Sequence, residues 1–315
     1  MRQKILQGAP ATITVTLADQ DGNPVDATGA LTVGVTQADS TVVLSPGTAT
    51  VHASTGVYTA TLTAAQTVSL NLYTATWTDA GNGRTATTKH EIVGGFFFNL
   101  NDVRQSNDGD LADINKYPDA TVLQTRYEVE EEAERICDVA FVPRYNRVTL
   151  DGQATAELVL PHRKIRTVRS VRIYPVVGGS TYTALTSTQL AAIVFSDDGR
   201  IQRTDFGFFD DGRGNVVVEY EYGHDQPNSN IVRAALTRMR DRMTMDKTAL
   251  SDYATNFTAE NGQTYTISLP DAYRTGNPEV DAVYSRYSYR SGGNPASRQL
   301  NFDPQRYSIF HGGVR

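Results

Sequence analysis

The sequence predicts an α+β multidomain chain: an all-β sandwich over residues 1–94, a domain of helices with an inserted small β-sheet over 95–288, and an extended C-terminal arm over 289–315. Three observations predict it. Before Gly94-Gly95 the chain is a succession of short alternating β runs, from Asp119 the apolar spacing turns helical, and from Arg290 onward no periodicity remains. A chain of 315 residues also exceeds what one core usually holds, at roughly 150 residues per domain.

The first runs are ATITVTLAD, ALTVGVT, STVVLS, TATVHAS, GVYTATLTA, LYTATWTDA and RTATTKHEIV. Ile13, Val15 and Leu17 alternate with polar residues, as do Tyr58, Ala60 and Leu62, which is the pattern of a strand with one buried face. Turns such as DQDGNP and DAGNGR separate the runs, so they read as the strands of a small sandwich with the lone Trp77 in its core. At the junction, exposed Phe96, Phe97 and Phe98 would form a sticky patch. They are expected to be buried between modules or against a neighbouring subunit.

From Pro118-Asp119, Val129, Ala133, Ile136, Cys137 and Ala140 follow helical spacing. The opposite face carries Glu128, Glu130, Glu131, Glu132 and Glu134, and Asp102 to Asp138 holds eleven Asp/Glu against four Lys/Arg, a local net of −7. Strands return in RYNRVTLDG, TAELVLP, SVRIYPVV, AAIVFSDDG, RIQRTDF and NVVVEYEYG. A second helix follows DQPNSN with an apolar stripe of Val232, Ala235, Leu236, Met239 and Met243, its other faces bearing Arg233, Arg238, Arg240, Arg242 and Lys247. The segment QTYTISLP and a third helix near Pro278 to Tyr287 precede the arm.

Composition narrows the function. The formal net charge of −6 and a pI near 5.4 repel nucleic-acid phosphate from the molecule as a whole. A single cysteine, Cys137, excludes an internal disulfide and a multi-cysteine zinc site. No apolar run approaches the roughly 20 residues that span a bilayer, and the N-terminus MRQKILQGAPATITV lacks a signal-peptide core. There is no G-x-S-x-G, H-E-x-x-H, P-loop or G-x-G-x-x-G motif. The histidines His52, His90, His162, His224 and His311 show no paired spacing. Asp19, Asp21 and Asn23 begin like a calcium loop, but Gly22 falls too early and no closing Glu follows, so a turn is expected. Asp197-Asp198 and Asp210-Asp211, each in DDGR, read first as hairpin turns. No catalytic residue, metal site or cofactor is expected.

Two resemblances then carry weight. GVYTATLTA and YTATWTD resemble the immunoglobulin-like domains that decorate phage and bacterial surface proteins. In the second module the order of motifs resembles the head-tail connector (adaptor) proteins of tailed bacteriophages, the ring beneath the portal. The matching residues are Cys137 and Phe141; Leu160, Pro161, Ile165, Val168 and Val171; Val216, Val218, Tyr220 and Gly223; and Pro227, Ile231, Ala234, Ala235 and Leu236. The likeness covers about residues 96 to 250. The N-terminal sandwich and the stretch from Ser251 to Tyr273 have no counterpart in it.

The adaptor resemblance implies a structural virion protein in the head-tail neck, assembled in the host cytoplasm. Its expected partners are further copies of itself in a ring, twelve by resemblance, the portal protein, and a stopper or tail terminator below. DNA would pass through without sequence recognition, and no membrane is involved. Glu128, Glu131 and Glu132 are then expected to face the channel, where repulsion prevents sticking. Arg163, Arg166, Arg169 and Arg172, in LPHRKIRTVRSVRIY, are expected at the subunit interface, awaiting carboxylates from the next copy. The arm is expected to dock on the portal or a neighbouring subunit through Arg298, Leu300, Phe302, Arg306, Tyr307 and Phe310, because aromatics and arginines serve as anchors. A second reading is a surface protein whose sandwich binds carbohydrate or a host protein, which requires an exposed Trp77. A third is a hydrolase, which requires the paired aspartates to face one another across a cleft.

Overall fold

A computed structural model describes residues 2–106, 109–176, 179–244, 256–258, 264–266 and 273–289. By its contacts the chain forms two compact units, residues 1–96 with 142–225 and residues 97–141 with 226–315. The strands after Val142 thus group with the sandwich, and the segment carrying the long helices forms the other unit. This partition differs from the linear one at Gly94-Gly95.

The first unit opens with eight strands: β1 (Gln3–Leu6), β2 (Ala11–Thr16), β3 (Leu31–Gln37), β4 (Val42–Ala49), β5 (Val51–Ser54), β6 (Val57–Leu62), β7 (Asn71–Asp79) and β8 (Thr85–Val93). They make a five-stranded sheet ordered β1-β8-β7-β3-β4 and a three-stranded sheet ordered β2-β6-β5. Alternation drives the arrangement. Ile13, Val15, Tyr58, Ala60 and Leu62 from one sheet meet Val33, Val35, Tyr73, Ala75, Trp77 and Ile92 from the other in one core. Trp77 is fully buried, as expected, and its indole N–H donates to Thr88 Oγ1 at 3.0 Å. Sequence reading counts seven strands and misses β1, because QKIL has no alternation and becomes a strand only by pairing in parallel with β8. At the corner between β6 and β7 the Tyr73 hydroxyl donates to the Gln66 carbonyl.

The same unit continues with β9 (Arg144–Gly152), β10 (Glu157–Val159), β11 (Ile165–Ile173), β12 (Thr183–Ala184), a short α-helix (Ser187–Ala191), β13 (Ile193–Phe195), β14 (Arg200–Arg203) and β15 (Gly212–Tyr222). These form a four-stranded sheet ordered β12-β11-β15-β9 and a three-stranded sheet ordered β10-β14-β13. Strand β11 explains a puzzling spacing. Ile165, Val168 and Val171 lie three apart, which an ideal strand would send to alternate faces. Register shifts between Ile165 and Thr167 and between Val168 and Ser170 absorb the extra residues. Ile165, Val168, Val171 and Ile173 therefore oppose Tyr222, Tyr220, Val218 and Val216 on one face. Arg172 and the bulge residues beside Arg169 are left with Glu219 and Glu221 on the other.

The second unit holds the helix Leu100–Gln105, the long helix Asp119–Cys137, the helix Ser229–Thr244 and the helix Pro278–Tyr287. Numbering all helices in chain order, with the short one of the first unit third, these are α1, α2, α4 and α5. An Asn99 capping box opens α1, and Asp138 in the left-handed conformation closes α2. Phe97 and Phe98 are buried here, Phe97 edge-on to Phe141 at 5.6 Å, whereas Phe96 is half-buried. On α4 the buried residues are Ile231, Ala234, Ala235, Arg238 and Met239. The apolar stripe expected from sequence is therefore turned by one position, and Val232 and Leu236 are only half-buried. Two further strands, β16 (Asn256–Thr258) and β17 (Thr264–Thr266), pair antiparallel.

Candidate functional site

The arginines of β11 are the first candidate surface, and the structure places three of them on carboxylates of their own chain. Arg169 donates from Nε to Glu221 at 2.7 Å and from Nη1 to the Leu70 carbonyl at 2.7 Å, and its guanidinium lies 5.1 Å over the Tyr145 ring. Arg172 reaches Glu219 at 3.6 Å and covers the Tyr182 ring at 5.2 Å. Arg166 pairs with Asp225, and Arg163 is half-buried. Glu219, itself buried, also receives Arg147 at 3.5 Å, while Arg147 donates to the Ala38 carbonyl. Burial pushes the Tyr145 hydroxyl well above its ordinary range, so it stays protonated beneath Arg169.

The expectation that these arginines await carboxylates from another copy is thereby corrected. In one folded chain Arg166, Arg169 and Arg172 are already paired, and two of their contacts, to Leu70 and through Glu219 to Arg147 and Ala38, fasten the second sheet to the sandwich. Glu219 and Glu221 are the residues the sequence reading missed. Their signal is the alternation in VVVEYEY: two carboxylates on one face of a strand buried on both sides need cations opposite, and β11 and β9 supply them.

The acidic face of α2 is the second candidate. Glu132 is buried and accepts from Arg238 Nε at 2.8 Å, Arg238 Nη2 at 3.1 Å and Arg242 Nη2 at 3.1 Å. Glu128 accepts from Arg242 Nη1 at 3.0 Å and from Gln124 at 3.0 Å. Glu130 is fully buried and accepts the Phe97 N–H at 3.0 Å. Glu132 therefore lines no channel, because its carboxylate is consumed between α2 and α4, and Glu128 is largely neutralised by Arg242. Of the three expected channel residues, Glu131 is the one exposed to solvent. The signal was in the sequence: Glu128 and Glu132 are four apart on one helix, and Arg238 and Arg242 four apart on another.

The third candidate, the arm with Arg298, Leu300, Phe302, Arg306, Tyr307 and Phe310, lies outside the described residues, as does His311.

The remaining candidates resolve into local structure. Asp19 Oδ1 accepts the Asp21 and Asn23 N–H groups at 2.9 Å each, so DQDGNP is a self-bonded turn, and the Asn23 N–H bond holds its carboxyl below the usual range. Asp197 pairs with Lys164, whereas Asp198 meets Arg200 at 3.1 Å, so the neighbouring carboxylates serve different partners. Asp210 and Asp211 are exposed. Trp77, which a carbohydrate-binding reading requires at the surface, is 0% exposed. His52 contacts Asp26 at 2.9 Å; His162 contacts the Tyr220 hydroxyl at 2.6 Å and stacks on Tyr222 at 3.9 Å. Burial raises Tyr220 to about 12 and lowers His90 to about 4, and lowers His224 as well. Among the described residues no group of three or more His, Cys, Asp or Glu could hold a metal ion, and no helix is long and apolar enough to cross a membrane.

No protein family and no curated protein matches the chain. The solved structures similar to the chain include two from gene transfer agent particles. One is a chain from the neck of an empty gene transfer agent (GTA) particle computed with C6 symmetry, with 15% identity, covering 42% of this chain and 70% of that one, at a TM-score of 0.34. The other is a chain from the virion of a native GTA particle, with 16% identity, covering 42% and 71%, at a TM-score of 0.34.

Proposed function

We propose that this chain is a structural protein of a phage-like virion, a head-tail adaptor that forms a ring below the portal, joins capsid to tail and lets DNA pass. The observation that carries the reading is where the adaptor-like residues fall. Cys137, Phe141, Leu160, Ile165, Val171, Val216, Val218, Tyr220, Ile231, Ala234 and Ala235 are all buried, so the ordered motifs coincide with the cores of the helix, sheet and following helix. The two bulges of β11 give the I-x-x-V-x-x-V spacing a structural cause.

The N-terminal module is read as an immunoglobulin-like decoration. Its support is the five-plus-three strand order, the parallel pairing of the first strand with the last, and the Tyr73 hydroxyl bonded back to Gln66 at the start of the penultimate strand, in the manner of a tyrosine corner.

The test is direct. Purified chain mixed with its portal is imaged by negative stain, alongside a variant lacking residues 291–315. Rings with a central hole seated on the portal are expected for the full chain. The deletion is expected to abolish attachment while both units stay folded by circular dichroism. Portal particles that carry no ring would overturn the adaptor reading, and unchanged attachment of the deletion variant would overturn the role of the arm.

A further inference from the structure

A histidine sits among the apolar side chains of the sandwich. His90 of β8 is 2% exposed, with Tyr73 of β7 as its register neighbour on one side and Gln3 of β1 on the other. Alternation turns it to the same face as Ile92, which belongs to the sandwich core. An imidazole held there costs free energy unless its polar nitrogens find partners.

One of the two nitrogens does. Trp77 donates its indole N–H to Thr88 Oγ1 at 3.0 Å, and Thr88 Oγ1 lies 2.8 Å from His90 Nε2. Given to Nε2, the Thr88 hydroxyl hydrogen completes a relay from Trp77 to His90 and leaves the ring proton on Nδ1. Nδ1 is buried, and among the described residues it has no hydrogen-bond partner. The relay therefore suits the neutral ring alone. A second ring proton would sit on Nε2 against the Thr88 hydrogen and bring a charge into the core.

The surrounding elements hold no carboxylate turned toward that charge. On β7 the facing titratable group is Tyr73, whose hydroxyl is committed to the Gln66 carbonyl. On β1 the facing residue is Gln3, uncharged, which donates to the Thr12 carbonyl of β2 at 3.3 Å. Lys89 and Glu91 of β8 and Lys4 of β1 alternate to the other face of the sheet, where Glu91 meets Arg144 at 3.5 Å. In the opposite sheet β2 has no titratable side chain, β6 has only Tyr58, whose hydroxyl accepts the Ala27 N–H at 3.0 Å, and His52 of β5 is half exposed on Asp26. Burial alone accordingly lowers the His90 ring, to about 4.

On one side of His90 the sheet continues through β7, β3 and β4, and on the other it ends at β1. That edge strand has four residues, pairs in the sheet with β8 alone, and places only Ile5 in the sandwich core. We infer that β1 is an acid-released latch: protonation of His90 is accommodated by parting β1 from β8, which opens this edge of the sheet while the rest of the sandwich stays folded. The sign follows from the ring. The parted state, with His90 in water, binds the proton more readily than the closed one, so the latch is shut above pH 6.5 and opens progressively as pH falls toward 4. Once parted, β8 presents unpaired N–H and C=O groups that can pair with another strand.

Amide hydrogen exchange tests it in the full chain, with rates corrected for the pH dependence of the chemical step. Protection of the β1 amides is expected to fall about a hundredfold between pH 7 and 4.5, the factor set by the roughly two pH units between 4.5 and the ordinary histidine value. At each pH these amides should exchange at least about ten times faster than those of Ile13 to Val15 in β2, because β1 parts without unfolding the sandwich. Equal protection of the two strands would mean that acid unfolds the whole sandwich, and overturns the latch. In His90→Gln the β1 protection should no longer depend on pH; an equally steep profile there also overturns it. The unaltered chain supplies a second measurement: the His90 ring, followed by NMR, should titrate in step with the loss of β1 protection. A ring that titrates while β1 stays protected would place the accommodation elsewhere and refute the inference.

Discussion

Replacing Glu132 by Ala separates a buried ion pair from a solvent-facing channel residue. In the structure the Glu132 carboxylate accepts three hydrogen bonds, two from Arg238 and one from Arg242, and both Glu132 and Arg238 side chains are less than a tenth exposed (7% and 6%). Removing the carboxylate strands the Arg238 guanidinium inside the helical unit, a loss that for a buried pair runs about 3–5 kcal/mol. Arg238→Ala should cost less, about 2–3 kcal/mol, because Arg242 still holds Glu132. Replacing both by leucine should restore most of the loss, since a buried pair exchanged for apolar contacts is often neutral. Unfolding in urea followed by the helical circular dichroism band is the assay, because the lone Trp77 sits in the sandwich and reports on the other unit. The coupling between the two single changes is read from the double-mutant cycle. A Glu132→Ala cost below about 1 kcal/mol, typical of surface charges, would refute the burial argument and return Glu132 to the channel.

Three further outcomes are expected. His90 is buried and its folded value lies near 4 against an ordinary 6.5, so the unfolded chain binds the extra proton. Its stability contribution is complete above pH 6.5 and falls away between 6.5 and 4 by on the order of 3 kcal/mol. Trp77 fluorescence during urea unfolding at several pH values should show that loss, and His90→Gln should flatten it; an equally steep profile in the variant would assign the slope elsewhere. Tyr73→Phe removes the bond to Gln66 from a fully buried site and should cost about 1–3 kcal/mol in the same fluorescence assay; a neutral change would mean the corner is held without it. Arg169→Glu sets a carboxylate against Glu221 and breaks the bond to Leu70, so the single chain should lose about 2–4 kcal/mol. If its unfolding were unchanged and only assembly suffered, the interface reading of Arg169 would be right after all.

The elements that were legible share one property: their pattern is set by burial within the element itself. Strands β2, β6 and β7 alternate, and α2 begins at Asp119 and α5 spans Pro278–Tyr287 as their spacing and caps dictate. What could not be read depends on partners distant in sequence. Strand β1 exists through β8, and the stripe of α4 turns by one position because Arg238, polar by type, is buried on Glu132. The same blindness affected the candidate sites. The apolar pattern leaves charged residues to the outer faces, whereas Glu132, Glu219 and Arg203 are inside, each facing an opposite charge that the spacing could suggest but not select.

This relocation of charge changes what an assembly of such chains would rest on. The segment Asp102 to Asp138 carries a net of −7, yet Arg104 takes Asp119, Arg238 and Arg242 take Glu128 and Glu132, and Arg240 takes Asp110. Likewise the basic run on β11 is spent on Glu219, Glu221 and Asp225. Opposite charges that are satisfied inside one chain cannot drive the meeting of two, because breaking them to re-form them across an interface gains nothing. Among the large apolar side chains left at the surface, Phe206 and Phe208 stand 95% and 58% exposed on a braced loop. The stretch LPHRKIRTVRSVRIY, which by charge alone suggests a joint between subunits, is accordingly a joint within one, clamping the second sheet to the sandwich through Arg169 and Leu70.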